Sequence, residues 1–533
     1  MFWKRGLAFV LLAGLPLIAM AEPAEAPEPG PSASQAGGDA AFDIFEYVVE
    51  GNSVLPELAI EQAVYPHLGE KKSIQDVKLA SKALEKAYHD AGYLTVFVDI
   101  PEQDIRNNIV RLAVTEGRVE RLKVSGARYY SLGRIKSKAP DLAEGTVPYF
   151  PSVQKQVASV NRNADRKVTP VLRPGRSPGT VEVELKVADQ LPLHANLELN
   201  NRYSPNTTKT RLSGGVRYDN LWQREHSVSL QFQTAPERTE DTKVFSANYV
   251  VPFANGDYLA AYGVSSNSDT AALGDVNVIG DGRIFGLRYI RPLRSRQGFF
   301  HTATAGWDYK GFNETVNLLG ADSFNTPISY RALSLAYEAT LQSEARGTQF
   351  AAAFNFSVRG VGNTANQFAL KRYNARASYA YLRLDLKHTE KLPGGYSLFG
   401  RVGAQLAGSP LISNEQYSAG GAGSVRGYLE SEALGDKGLQ AGLELRTPPF
   451  SRDAASFWRQ TYALGFIEGA RLETLEPLPD QQSTFTFSST GLGLRMKAAK
   501  GFTLDMDLAL PLKQTGNTPA RDVRVQWRMA YEY

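Results

Sequence analysis

Large apolar side chains recur at every second position over the last eleven residues, where Val523, Val525, Trp527, Met529, Tyr531 and Tyr533 interleave with Arg524, Gln526, Arg528, Ala530 and Glu532. Leu439, Ala441, Leu443 and Leu445 alternate likewise with Gln440, Gly442, Glu444 and Arg446, and Val228, Leu230 and Phe232 with Ser229 and Gln231. A period of two predicts strands with one apolar and one polar face. From Leu191 onward such segments follow one another, about sixteen of them long enough to cross a bilayer at a tilt. If the first strand leaves the inner side, the inner turns include Asn255-Gly256, Arg346-Gly347, Pro393-Gly394-Gly395 and Lys500-Gly501, all tight. Most outer connections are longer: Asn267–Ile279, Phe312–Pro327, Ser409–Asp436 and Glu473–Ser483. Short inner turns, long outer loops and an even strand count predict a closed membrane barrel rather than a soluble sandwich.

The pattern before Leu191 is different. Phe45, Tyr47 and Val49 alternate up to Gly51, and Pro56–Leu68 suits a short helix. Ser73 and Asp76 form a capping box, and Ile74, Val77, Leu84, Ala87, Tyr88 and Ala91 follow at helical spacing up to Gly92. Strands are predicted at Leu94–Ile100 and Ile109–Thr115. The same β-α-α-β-β order recurs more faintly: Val119–Val124, Gly126, a helical stretch Val153–Arg166, then strands Val171–Pro174 and Val181–Val187. Gly51 and Gly126 fall at equivalent places, so two copies of a module of about 75 residues are expected.

Residues 1–21 read as a secretory signal: Lys4 and Arg5, an apolar run Leu7–Ile18, and Ala19-Met20-Ala21 as cleavage site. Residues 22–41 carry prolines and no large apolar side chain, so a flexible linker is expected there. Composition then narrows the function. With 59 Lys+Arg against 55 Asp+Glu the chain is close to neutral, and no basic domain suggests nucleic acid. The absence of Cys excludes thiol catalysis, disulfide scaffolds and cysteine-held metal, and six His argue against a His-rich centre. No catalytic residue, metal or cofactor is expected, and no enzymatic reading finds a recognisable paired site.

The connection between the eleventh and twelfth predicted strands, 409–436, contains Gly420-Gly421-Ala422-Gly423-Ser424-Val425-Arg426-Gly427-Tyr428. Its glycines have no phosphate-loop spacing and open no helix, which sets a phosphate cradle aside. Val425, Arg426, Gly427 and Tyr428 resemble the VRGY signature of two-partner secretion transporters, the haemolysin and filamentous-haemagglutinin secretion class. The resemblance runs over nearly the whole mature length. It implies a mainly β protein: two periplasmic polypeptide-transport-associated (POTRA) modules, 42–117 and 118–188, before a 16-stranded antiparallel transmembrane β-barrel, 189–533. In the family the signature loop folds into the lumen and its Arg pairs with an acid of a wall motif, Phe-x-Asp-x-Gly. The match here is Phe466-Ile467-Glu468-Gly469-Ala470, with Glu in place of Asp and Gly directly after the acid. Family members also carry an N-terminal helix that plugs the barrel, and 22–41 offers no such helix.

The resemblance further implies a Gram-negative outer-membrane location with the modules in the periplasm, and a monomer in contact with outer-membrane lipid. Its client would be a large secreted exoprotein, unfolded in the periplasm and passed to the surface, with activation of the client left open. Tyr533 resembles the terminal aromatic by which barrel-assembly machinery recognises its substrates. By analogy Val181, Val183, Leu185 and Val187 mark a candidate client-docking strand, a fully paired core strand being the other reading of that pattern. Two alternative functions stay open at this point: an assembly factor for outer-membrane proteins or autotransporters in the same superfamily, and a passive porin.

Overall fold

The computed structural model describes residues 41–533 apart from 106, 269, 274–275, 280, 318–322, 451–459 and 499–500. The expected signal peptide, all of the linker except Ala41, and Lys500 of one expected turn lie outside the described residues. The chain divides into two compact units, Met1–Leu191 and Pro192–Tyr533.

The first unit holds two modules of one topology. In the first, β1 (Phe42–Ile44) precedes β2 (Glu46–Glu50), α1 (Glu57–Val64), β3 (Gly69–Lys72), α2 (Ile74–Asp90), β4 (Val96–Asp99) and β5 (Ile109–Glu116). The main sheet runs β2-β5-β4, with β2 parallel and β4 antiparallel to the central strand. Ser73 caps α2 as expected, its amide donating to Asp76 Oδ2 at 2.8 Å. Val77, Leu84 and Tyr88 on one face of α2 close over Val96, Val110 and Leu112 to make the core.

The second module comprises β6 (Arg118–Ser125), α3 (Leu132–Ser137), α4 (Phe150–Val160), β7 (Arg166–Pro174) and β8 (Thr180–Asp189), in sheet order β6-β8-β7. Two details differ from the sequence expectation. The helix ends at Val160, and β7 begins at Arg166, five residues before Val171. Asn161 explains the early stop, because its side chain accepts from Val168 N at 2.7 Å and donates to Val168 O at 2.9 Å, tying the helix end to the strand. The two glycines are structurally equivalent. Both have positive φ, and a Cβ would meet the Val114 carbonyl oxygen at 2.3 Å from Gly51 and the Val187 carbonyl oxygen at 2.4 Å from Gly126. Each lets the chain turn against the last strand of its module, where any side chain would collide.

The second unit is a closed antiparallel barrel of sixteen strands. In order these are β9 (Leu193–Asn200), β10 (Arg211–Leu221), β11 (His226–Thr234), β12 (Lys243–Pro252) and β13 (Tyr258–Asn267). A hairpin of β14 (Thr270–Leu273) and β15 (Val276–Ile279) intervenes before β16 (Gly282–Pro292), β17 (Phe299–Asn317), β18 (Ser323–Gln342) and β19 (Arg346–Phe356). After α5 (Ala365–Lys371) come β20 (Ala380–Lys391) and β21 (Ser397–Ala407). The small pair β22 (Tyr417–Ala419) and β23 (Ala433–Gly435) precedes β24 (Lys437–Arg446), β25 (Tyr462–Glu473), β26 (Thr484–Lys497), β27 (Phe502–Pro511) and β28 (Arg524–Glu532).

Alternation divides each strand between lipid and lumen. Leu439, Leu443 and Leu445 stand exposed on the outside of β24, whereas Glu444 between them is buried inside. Closure pairs β28 with β9, and bonds between Ala195 and Tyr533 and from Trp527 N to Asn201 Oδ1 continue the seam beyond both ends of that ladder. Closing the sheet leaves no unpaired edge in hydrocarbon. One expected loop is different: β17 and β18 pair as far as Asn317 with Ser323, so most of Phe312–Pro327 is ladder.

Candidate functional site

The connection from β21 to β24 is folded inward as a finger. Its stem is the β22–β23 pair, Tyr417 opposite Gly435 and Ala419 opposite Ala433. Tyr417, Ala419, Ala433 and the buried Val425 and Tyr428 pack on Ala470 and Leu472 of β25 and Phe487 of β26. Tyr428 anchors the finger tip by both of its ends. Its ring meets Phe487 edge-on at 5.0 Å, and its hydroxyl lies 2.8 Å from Lys513 O and 3.0 Å from Ser488 O. Gly427 has φ +93°, its amide donates to Gln526 Oε1 at 3.2 Å, and a Cβ there would meet Ala509 Cβ at 3.3 Å.

Arg426 lies at the centre of this contact. Its guanidinium is buried and meets three carboxylates, Glu468 at 2.6 Å, Glu444 at 2.7 Å and Asp507 at 3.2 Å. The guanidinium carbon also stands 3.6 Å from the centre of the Phe466 ring, a cation–π contact. Glu468 accepts four bonds: from Arg426 N at 2.8 Å, Nε at 3.0 Å and Nη2 at 2.6 Å, and from Arg401 Nη2 at 2.5 Å. Arg401 on β21 reaches past the carboxylate to the finger itself, donating to the carbonyls of Gly423 and Ser424, each at 2.5 Å. The extra methylene of Glu therefore serves a carboxylate shared between two arginines.

Gly469 is not part of this contact. Alternation turns it, with Ile467, to the outside of β25, and the inward positions are Phe466, Glu468 and Ala470. The buried Ala470 beneath Val425 and Tyr428 occupies the place of the family motif's glycine.

Arg401, Glu444 and Asp507 were not singled out in the sequence, and they belong to a longer belt. Glu444 also binds Arg446 at 2.5 Å, and Asp507 binds Arg495 at 2.8 Å. Arg495 continues to Asp505 at 3.7 Å, Asp505 to Arg528 at 3.4 Å, and Arg528 to Glu198 of β9 at 2.7 Å. Opposite charges thus alternate along the inner wall from β21, across the seam, to the first strand. The signal that could have found them is parity: each lies an even number of residues from another inward polar position of its strand.

The expected docking strand is corrected by the fold. Val181, Val183, Leu185 and Val187 lie on β8, the central strand, hydrogen-bonded to β6 on one side and β7 on the other. Val183, Leu185 and Val187 are buried in the module core, so neither backbone edge nor side chains are open to a partner. Paired groups can accept another strand only by breaking the sheet. In the first module the edge strand β4 is also covered, its Val98 carbonyl accepting from Ser81 Oγ and its Val96 carbonyl facing His89 Nε2. On β7 the groups of Val168 are taken by Asn161, and by alternation Leu172 points its N–H and C=O away from β8.

The class defined by this fold and finger is that of POTRA-bearing outer-membrane transporters. Residues 42–117 match the POTRA domain of ShlB type, and residues 179–473 match the haemolysin secretion/activation proteins ShlB/FhaC/HecB. The chain belongs to that family, and is an outer-membrane β-barrel transporter with its POTRA region in the periplasm. It is 24% identical over 528 residues, 95% of this chain and 85% of the relative, to the outer membrane transporter CdiB of Escherichia coli O6:K15:H31. It is 19% identical over 465 residues, 84% and 79% of the two chains, to the heme/hemopexin transporter protein HuxB of Haemophilus influenzae. The fold is similar to that of CdiB from Escherichia coli, with TM-score 0.64 at 18% identity, over 95% of this chain and 93% of the other. BamA from Haemophilus ducreyi lacking POTRA domains 1–3 shares the fold at TM-score 0.56 and 14% identity, over 92% and 100% of the chains. Transporters of this family work with secreted exoprotein partners.

Proposed function

We propose that this chain captures an unfolded exoprotein in the periplasm and passes it through its own barrel to the cell surface. The observation that carries this reading is the finger seated in the lumen of a closed barrel by ion pairs. Burying these charges costs solvation that is regained only when water and the charges of a passing chain reach all of them, so the finger is held as a set and released as a set. The client binds as an extended strand, with backbone hydrogen bonds giving capture with little side-chain selectivity. The edge open to it is β7 from Pro170 to Pro174, which offers the N–H and C=O of Leu172 and, since proline has no N–H, only the carbonyls of Pro170 and Pro174. The finger then leaves Glu468, the lumen opens, and folding of the client outside makes passage one-way. The barrel acts as a monomer and is inserted by the barrel-assembly machinery.

Arg426→Ala tests this: secretion of the client stops while the barrel remains inserted and heat-modifiable. Secretion at the wild-type level would end the reading. Depletion of the chain followed by outer-membrane proteomics separates secretion from general assembly, since a secretion transporter alters its client and leaves other barrels unchanged.

A further inference from the structure

A barrel lumen of this width is expected to be polar and wet. At the outer ends of β12 to β21 it is lined instead by buried apolar side chains. Val244, Ile284, Phe312, Ile328 and Tyr330 point inward and are buried, while their neighbours Phe245 and Phe285 are exposed outward. The cover is segment 357–379, between β19 and β20, which carries α5. Phe368 of that helix is buried, its ring 5.4 Å from Tyr330 and 6.0 Å from Tyr379. Asn363 docks the segment on the wall as a substitute strand neighbour, accepting from Arg331 N at 2.6 Å and donating to Arg331 O at 3.0 Å.

The segment is also tied to the root of the finger. Arg372 binds Asp436, at 2.7 Å from Nη2, and donates to the carbonyls of Leu411 and, at 2.9 Å, Leu475. Asp436 is completely buried and takes further bonds from the amides of Leu411 at 2.8 Å and Leu475 at 2.7 Å. A few residues away Glu415, equally enclosed, is bonded to Lys310 at 2.6 Å, Tyr330 at 2.5 Å and Tyr381 at 2.7 Å. None of these groups touches Arg426 or its three carboxylates.

We propose that segment 357–379 is a second closure of the channel, at the outer mouth, and that Arg372 is the positioning residue coupling it to the Arg426 finger. The physical basis is the cost of an orphaned charge. If the segment left alone it would withdraw Arg372 from a buried carboxylate, and removing one partner of such a pair is strongly unfavourable. Segment and finger root therefore leave together, when Asp436 and Arg372 are hydrated together. This inference rests on the transport reading for its purpose, though not for its test.

The chain has no cysteine, so Phe368→Cys and Ile328→Cys can be joined in cells by a bis-thiosulfonate linker and released with reductant. The joined form should secrete roughly tenfold less client than the same cells after reduction, as expected for a segment that must move. Equal secretion by joined and reduced forms would overturn the proposal. If the pair secretes nothing even when reduced, the deciding measurement is the conductance of the purified full-length chain in planar bilayers. Arg372→Ala should raise the mean current roughly threefold or more, and Arg372→Lys, which keeps the charge but not the fork, by less. An unchanged current in Arg372→Ala would overturn it. Conductance needs no client, so this arm can fail or stand independently of the secretion reading, which Arg426→Ala probes without touching 357–379.

Discussion

The periplasmic modules and the part of the barrel lumen around Arg426 bury their interiors by opposite means. Each module closes helices over a small sheet with aliphatic side chains, Leu84 and Leu112 in one, Leu142 and Leu185 in the other. Around the finger tip the buried contact is charged: Arg426 of the finger with Arg401, Arg446 and Arg495 of the wall, against Glu444, Glu468 and Asp507. An apolar core has no substitute for its contacts except by unfolding. A charged interior does, because water or a polypeptide can supply equivalent partners. The modules are accordingly built to persist, and the charged contact around Arg426 to be vacated and refilled.

That contrast can be broken experimentally. Arg426→Ala should have the largest effect, since removing one partner of a buried ion pair costs about 3–5 kcal/mol. Secretion falls roughly a hundredfold or more, while heat-modifiable migration of the barrel is unchanged; loss of the folded barrel instead would make the belt structural. Gly126→Val should be next, with the opposite signature. A side chain at a positive φ, aimed at the Val187 carbonyl, destabilises the second module by about 3 kcal/mol or more. Limited proteolysis of the full chain should then cut within 118–189 and spare the barrel.

Glu468→Asp sharpens the role of the longer acid. The shorter side chain reaches one arginine at a time, so secretion should drop roughly tenfold, the equivalent of about 1.4 kcal/mol, and wild-type secretion would remove Arg401 from the argument. The smallest change is expected from Asn161→Ala, which costs about 1 kcal/mol or less of module stability. It frees the backbone of Val168 on the edge of β7. Client binding to detergent-solubilised full-length chain should stay level or rise modestly, and a loss of binding would count against that edge as the docking place.

How much of this was legible depends on the range of the interaction. The long helix of the first module follows from Ser73, Asp76 and the spacing of Val77, Leu84 and Tyr88, all local. The second module was fainter because α4 is short and its end is set by Asn161 bonding to Val168 across a turn. The barrel strands show in alternation, but 312–317 and 323–327 have polar residues that suit a loop and still pair as ladder, since two neighbouring strands carry on together. At the site, Arg426 and Glu468 could be named through motif resemblance. Arg401, Glu444 and Asp507 could not, being unremarkable lumen-facing charges until closure brings their strands around one guanidinium.

Periodicity and turn residues by themselves determine that this chain makes small α+β modules followed by a sheet of about sixteen strands with one lipid face, because those signals act between residues a few positions apart. Which strand is central, which carbonyls are covered and which charges meet are decided by tertiary structure alone. Val181–Val187 has the same alternating pattern whether at an edge or between two neighbours, and only the pairing of β6 and β7 around it removes it from the surface. Likewise Arg372 and Asp436 are 64 residues apart, and no local property of either tells that one loop will be fastened to another at the mouth of the barrel.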